Sequence, residues 1–197
     1  AAKVLARYCG EQALTIHKRI YRQRTNADYE SKFSLDFNRE QGAVFIVDEA
    51  SMLSDSTGDG ALFGSGSLLE DLVSYVRSGR GCRLILVGDS AQLPPVGCDF
   101  SPALDPATVS RYGEVVYGLM DEVVRQQMQS GILFNATLVR CMLENRIYEI
   151  PKFEMDYPDF ESVEGGDFME KLQDAFDRYG RDEVIVITRS NKRANRY

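Results

Sequence analysis

Two short apolar runs in this chain each end in acid. Val44-Phe45-Ile46-Val47 leads into Asp48-Glu49, and Leu84-Ile85-Leu86-Val87 leads into Gly88-Asp89 and on through Ser90-Ala91-Gln92-Leu93-Pro94-Pro95. A carboxylate pair at one strand tip and a Gly-Asp-x-x-Gln loop at a neighbouring tip form half of a nucleotide-hydrolysis site. Asp48 suits a magnesium ion held mostly through water, because that hard cation takes oxygen ligands and keeps part of its hydration shell. Glu49 is then placed to take a proton from the attacking water. Gln92 both donates and accepts hydrogen bonds, which suits a side chain that senses a terminal phosphate and the water in line with it. Pro94 and Pro95 stiffen the loop that carries it. An acidic pair alone is as readily a solvated strand end or a helix cap. The second tip, with compatible chemistry at crossover spacing, favours the functional reading.

The positioning elements follow from the pattern around these residues. Both runs are apolar on both faces, as expected for strands covered by helices on each side of a parallel sheet; a half-exposed antiparallel strand would alternate. Between them Leu68, Leu69, Leu72, Val73 and Val76 recur at helical spacing, so 67–78 supplies the crossover helix of a strand-helix-strand unit, stopped by Gly79 and Gly81. Such a unit brings Asp48, Glu49, Asp89 and Gln92 out along one edge, where open α/β sheets place their ligands. The fold class is therefore α/β. Upstream, a helix is expected to about Tyr21, with Val4, Leu5, Tyr8, Leu14, Ile16 and Ile20 inward. A polar connector over 22–40 follows, in which the alternating Phe33, Leu35 and Phe37 mark a strand or hairpin arm. The Gly-, Ser- and Asp-rich stretch 55–66 reads as a mobile loop. Further on, the expectation is a short helix and turn over 100–112 held by Pro102 and Pro106, and strands at Val115–Leu119 and Val184–Ile187. Helices are expected at 130–144 and 167–179, with irregular chain over 153–163.

At this point the motifs are recognisable. Asp48-Glu49-Ala50-Ser51-Met52-Leu53 resembles motif II, the Walker B box, of superfamily 1 helicases, and 87–97 resembles their motif III. The pairing is similar to the RecD-like branch, the alpha subunit of exonuclease V, an ATP-dependent DNA helicase. Weaker segments arrive in the order that family requires. Ala1-Ala2-Lys3-Val4-Leu5 resembles the helix after motif Ia, and Thr15-Ile16-His17-Lys18 a segment that touches single-stranded DNA. Val124-Arg125-Gln126 with Ser130-Gly131-Ile132-Leu133 is similar to motif IV, and Thr188-Arg189-Ser190-Asn191 to a later segment near the nucleic-acid path.

The resemblance implies a P-loop NTPase (RecA-like) parallel sheet with flanking helices, divided into a partial first motor domain over 1–122 and the start of a second over 123–197. It implies Asp48, Glu49, Gln92 and Arg125 as catalytic residues, with Arg125 stabilising transition-state charge. ATP would meet Asp48, Asp89, Gln92 and Arg125, and Asp48 would hold magnesium. Thr15, His17, Lys18, Pro94, Thr188 and Arg189 would meet single-stranded DNA, along which the motor would move 5′ to 3′. RecB- and RecC-like subunits are the implied partners.

A phosphate-binding loop needs glycines that let backbone amides approach the phosphates, then Lys and Ser or Thr. No Gly-x-x-x-x-Gly-Lys-Ser/Thr occurs in these 197 residues, and the nearest imitation, Gly64-Ser65-Gly66-Ser67, lacks the lysine. The chain is therefore expected to be a piece of a longer protein, opening beyond that loop and stopping before motifs V and VI. By itself it is expected to bind ATP weakly and not to turn it over. An edge exposed by the missing strand would favour a strand-edge dimer. The competing reading is a non-catalytic interaction or scaffolding module that keeps the helicase-like fold without the motor. A nuclease is poorly supported, because the acids are already accounted for by the two motifs.

Composition sets the outer bounds. A hydrophobic content of 44% is ample for a buried core, and a net charge of −7 argues against a surface that binds nucleic acid everywhere. A local groove remains compatible with the clusters Lys18, Arg19, Arg22, Arg24 and Arg189, Lys192, Arg193, Arg196. Cys9, Cys82, Cys98 and Cys141 show no Cys-x-x-Cys spacing and His17 is the lone histidine, so neither a zinc site nor a disulfide scaffold is indicated. No signal peptide or bilayer-length apolar run is present, so a cytoplasmic location without a membrane partner is expected.

Overall fold

The computed structural model describes residues 6–7, 10, 13–25, 31–56, 63–120 and 130–195. The chain divides into two compact units, Ala1–Met120 and Asp121–Tyr197.

In the first unit the two acid-tipped runs are neighbours. Strands β3 (Val44–Val47) and β4 (Arg83–Leu86) pair in parallel, with Val44 opposite Arg83 and Val47 opposite Leu86. The helix that joins them, α2 (Leu68–Ser78), begins where the Ser67 hydroxyl accepts the Glu70 amide at 3.2 Å. Glu70 and Asp71 in its first turn and Arg77 in its last suit the helix dipole. Gly79 ends it. Leu69, Leu72, Val73, Tyr75 and Val76 form its buried stripe and meet Ile20, Tyr21, Val47, Ala50, Leu53 and Ala103 in one core.

Coverage of the strands differs from the expectation. Val44, Ile46 and Ile85 are 53%, 59% and 46% exposed, whereas Phe45, Val47, Leu84 and Leu86 belong to the core or pack against it. A pleated strand sends alternate side chains to opposite faces, and only the face toward α2 is packed. The apolar outer face is thus uncovered rather than sandwiched. Among the described residues each sheet has two strands, so the parallel sheet is small and a full RecA-like sheet is not seen.

Upstream, α1 (Ile16–Ile20) is shorter than expected and gives way at once to β1 (Tyr21–Thr25). β1 pairs antiparallel with β2 (Ser31–Leu35), Tyr21 lying opposite Leu35. Packing explains the switch from helix to strand. Tyr21 is buried and donates its hydroxyl to Asp71 of α2 at 2.7 Å, while Phe33 stacks on Phe63 with ring centroids 4.5 Å apart. Phe37, expected to share that pattern, is exposed. The expected inward positions Val4, Leu5 and Tyr8 lie outside the described residues, as does the middle of the 55–66 loop.

Beyond the second tip, Pro102 and Pro106 open a 3-10 turn (Pro102–Leu104) and the short helix α3 (Pro106–Val109), which Asp105 caps through the Thr108 amide at 2.9 Å. The strand expected over Val115–Leu119 does not form, and its apolar side chains are exposed.

The second unit holds α4 (Gly131–Glu144), capped by Ser130, α5 (Phe168–Tyr179), ended by Gly180, and the single turn α6 (Asn191–Ala194). The segment 153–163 is irregular apart from an isolated bridge between Tyr157 and Phe160. Val184–Ile187 is not a strand, and Ile185 and Ile187 stand 83% and 87% exposed. A strand needs a hydrogen-bonding neighbour, and no strand of this unit is present among its described residues to supply one. No helix among the described residues is long and apolar enough to cross a membrane.

Candidate functional site

The site is built from the ends of β3 and β4 and the chain that leaves them. Parallel pairing puts both carboxyl-terminal tips at the same edge of the sheet, so Asp48-Glu49 and Gly88-Asp89 emerge side by side. The ladder continues past the last paired residues. Val87 donates its amide to Val47 at 2.8 Å and accepts the Ala50 amide at 2.9 Å. One residue of the second tip therefore holds the chain on both sides of the acid pair.

Within that clamp the acids have defined roles in the backbone. Glu49 sits in the left-handed region at φ 56 and opens a 3-10 turn (Ala50–Met52), and its amide donates to Asp48 Oδ1 at 3.0 Å. A non-glycine residue in that region is uncommon and tends to occur where surrounding structure enforces it. Both acids are exposed, whereas Ala50 and Ser51 just after them are fully buried. At the second tip Asp89 Oδ1 accepts the Ala91 amide at 3.0 Å and its carbonyl accepts the Gln92 amide at 3.1 Å. This turn leaves Gln92 exposed at its end.

Among the described residues no group of three or more His, Cys, Asp or Glu side chains gathers into a metal cage. Magnesium needs no such cage, since it is commonly held by one or two carboxylates, substrate phosphates and water. Asp48 fits that pattern as an exposed carboxylate at a strand tip, with Oδ1 engaged by the Glu49 amide.

The glycine-rich imitation of a phosphate loop is excluded by its surroundings. The Ser65 amide donates to Asp71 Oδ2 at 3.0 Å, and Ser67 is spent on capping α2. A buried carboxylate already faces the amide that a phosphate would need. Burial, and next the bond to Asp71, push the Tyr21 phenol well above its ordinary range, so the Tyr21-Asp71 contact remains a neutral donor on a carboxylate.

The expected nucleic-acid residues fall in both units. Thr15 caps α1, its hydroxyl accepting the Lys18 amide at 3.4 Å, and His17 packs edge-on against Phe63 at 5.0 Å between centroids. Lys18 is exposed. Arg19 and Arg22 of the same cluster are already paired, with Glu40 at 2.7 Å and Asp36 at 2.6 Å. Pro94 is half-buried beside the exposed Leu93 and Val96. In the second unit the Thr188 hydroxyl donates to the Ser190 carbonyl at 3.0 Å and Arg189 is exposed. Arg125 lies outside the described residues.

Two backbone features were not legible from residue type. Val87 bonds on both sides of the acid pair through its backbone, and Gly88, already part of the Gly-Asp-x-x-Gln loop, leaves little room for a Cβ beside the Ala50 and Ser51 amides. A glycine closing an otherwise β-branched and aliphatic strand was the available signal, because glycine there marks close backbone approach.

A family model described as an AAA domain matches residues 1–138. No curated protein and no solved structure matches the chain.

Proposed function

The chain belongs to the AAA-domain family, whose members are P-loop NTPases of helicase-like type, and from that membership we propose that it works in an ATP-dependent DNA helicase of the RecD-like type. In this reading it is part of a motor that couples ATP hydrolysis to translocation on single-stranded DNA. One observation carries the reading: the parallel pairing of β3 and β4, with Val87 bonded to both Val47 and Ala50, sets Asp48, Glu49, Asp89 and Gln92 along a single edge.

Asp48 would hold magnesium, and Asp48, Asp89, Gln92 and Arg125 would meet the ATP. The ion, when bound, would neutralise phosphate charge. Glu49 would accept the proton of the attacking water, and Gln92 would sense the terminal phosphate through its paired donor and acceptor. Arg125 would add positive charge as the transition state develops. Thr15, His17, Lys18, Pro94, Thr188 and Arg189 would meet the DNA strand. RecB- and RecC-like subunits, a cytoplasmic location and a strand-edge dimer belong to the same proposal.

The test is Glu49→Gln in the full-length protein, with ATP, magnesium and single-stranded DNA supplied. Turnover should fall by orders of magnitude while ATP binding is retained; unchanged turnover removes the assignment. A second reading, a non-catalytic module with this fold, is favoured by the lack of a phosphate-loop motif in these residues. Complete absence of magnesium-dependent ATP binding would select it.

A further inference from the structure

We propose that Gly88 is a positioning residue for Glu49, and that its missing side chain is what ties the Gln92 loop to the acid pair. The inference rests on the helicase reading of the site and names a residue through which that site is held in order.

The geometry is specific. A Cβ built on Gly88 would lie 3.0 Å from the Ser51 amide nitrogen, 3.2 Å from the Ala50 amide nitrogen and 3.0 Å from Leu104 Cδ1. Two of those three neighbours are backbone atoms, which cannot turn aside as a flexible side chain can. They belong to residues that are fully buried, so the turn has no room to retreat into the core. The part of the turn free to move is the exposed Asp48-Glu49 pair. A side chain at position 88 would therefore push the two amides back by a few tenths of an ångström, straining the 2.9 Å bond from Ala50 to the Val87 carbonyl and shifting Glu49, which sits at φ 56 just before them.

The hydrogen bond from Ala50 to the Val87 carbonyl works in the opposite direction. Gly88 is the residue from which the Asp89-to-Gln92 turn departs, and that turn is closed by its own bonds to Asp89 at 3.0 and 3.1 Å. A turn closed on itself moves as a body. Its displacement on meeting a terminal phosphate passes through Gly88 and the Val87 carbonyl to the Ala50 amide bonded to it, and so to the carboxylate of Glu49. The sensor and the base are in this way linked by backbone contact.

The experiment compares Gly88→Ala, Glu49→Gln and the double variant in the full-length protein, measuring ATP turnover and ATP affinity separately. Gly88→Ala should slow turnover about tenfold or more, since misplacing a catalytic group by a fraction of an ångström to one ångström has effects of that order. ATP affinity should stay within about twofold. In the Glu49→Gln background the same change should cost nothing further, because the group it positions is gone. Wild-type turnover in Gly88→Ala, or an equal loss in both backgrounds, overturns the proposal. Unchanged turnover in Glu49→Gln alone instead sinks the underlying reading, so the two failures are told apart. Should Gly88→Ala melt early, Gly88→Ala/Leu104→Ala relieves the side-chain contact but leaves the backbone ones. Restored melting with turnover still depressed supports the proposal, and recovery of turnover overturns it.

Discussion

The two units keep their interiors by different means. In Ala1–Met120, buried apolar side chains from α1, β3, the 50–53 turn, α2 and the 102–104 turn converge on one core. In Asp121–Tyr197 the buried side chains among the described residues are polar ones, Ser130 and Asn135. The Ser130 hydroxyl and the Gly131 amide both donate to Asp159, at 2.6 and 2.8 Å, and the Asn135 side chain exchanges bonds with the Glu154 backbone at 2.8 Å in each direction. No apolar side chain of α4 or α5 is fully buried. The lesson is that a parallel strand pair with its crossover helix concentrates burial, whereas capped helices keep their form with little of it.

The largest effect should come from the apolar core. Leu69→Ala, at a fully buried position, should destabilise the first unit by about 2–5 kcal/mol. Denaturant unfolding followed by a probe in that unit measures it, and a loss below about 1 kcal/mol would erase the contrast.

An intermediate effect is expected in the polar latch, and it should depend on pH. The Ser130 hydroxyl, with smaller help from backbone amides, holds the Asp159 carboxyl below its usual range. A group whose folded pKa is depressed stabilises above its unfolded value and loses that contribution as pH falls through the folded one. Acidification below the ordinary carboxylate range should therefore loosen the second unit, and Asp159→Asn should flatten that dependence. Melting curves across the acidic range decide it; an unchanged pH profile in the variant would show that the latch carries no weight.

The smallest effect should come from Ile185→Thr. At 83% exposure this residue should change stability by no more than about 0.5 kcal/mol. A loss several times larger would mean that 184–187 is covered in solution, and the two units would then differ less than their buried residues suggest.

Legibility followed the range of the interactions. α2, α4 and α5 were readable because their caps, stripes and stops lie within a dozen or so residues: Ser67 and Gly79, Ser130, and Gly180. The runs 44–47 and 184–187 looked alike as sequences, yet only the first found a partner strand. The β1 strand was hidden because Tyr21 is drawn from a helical context by Asp71, fifty positions away. The basic cluster read as available charge, but Arg19 and Arg22 had acids waiting on distant segments. At the site itself the residue types were legible, while the clamp by Val87 and the left-handed backbone of Glu49 were not.

The amino-acid sequence by itself determined which side chains could do chemistry and that two apolar runs would carry them, because residue type and short-range periodicity are local properties. Whether those runs met, which face stayed uncovered and how Glu49 was held were decided only by the tertiary structure. Backbone hydrogen bonds between distant strands, and the space a missing side chain leaves, arise from the meeting of segments that no local pattern describes.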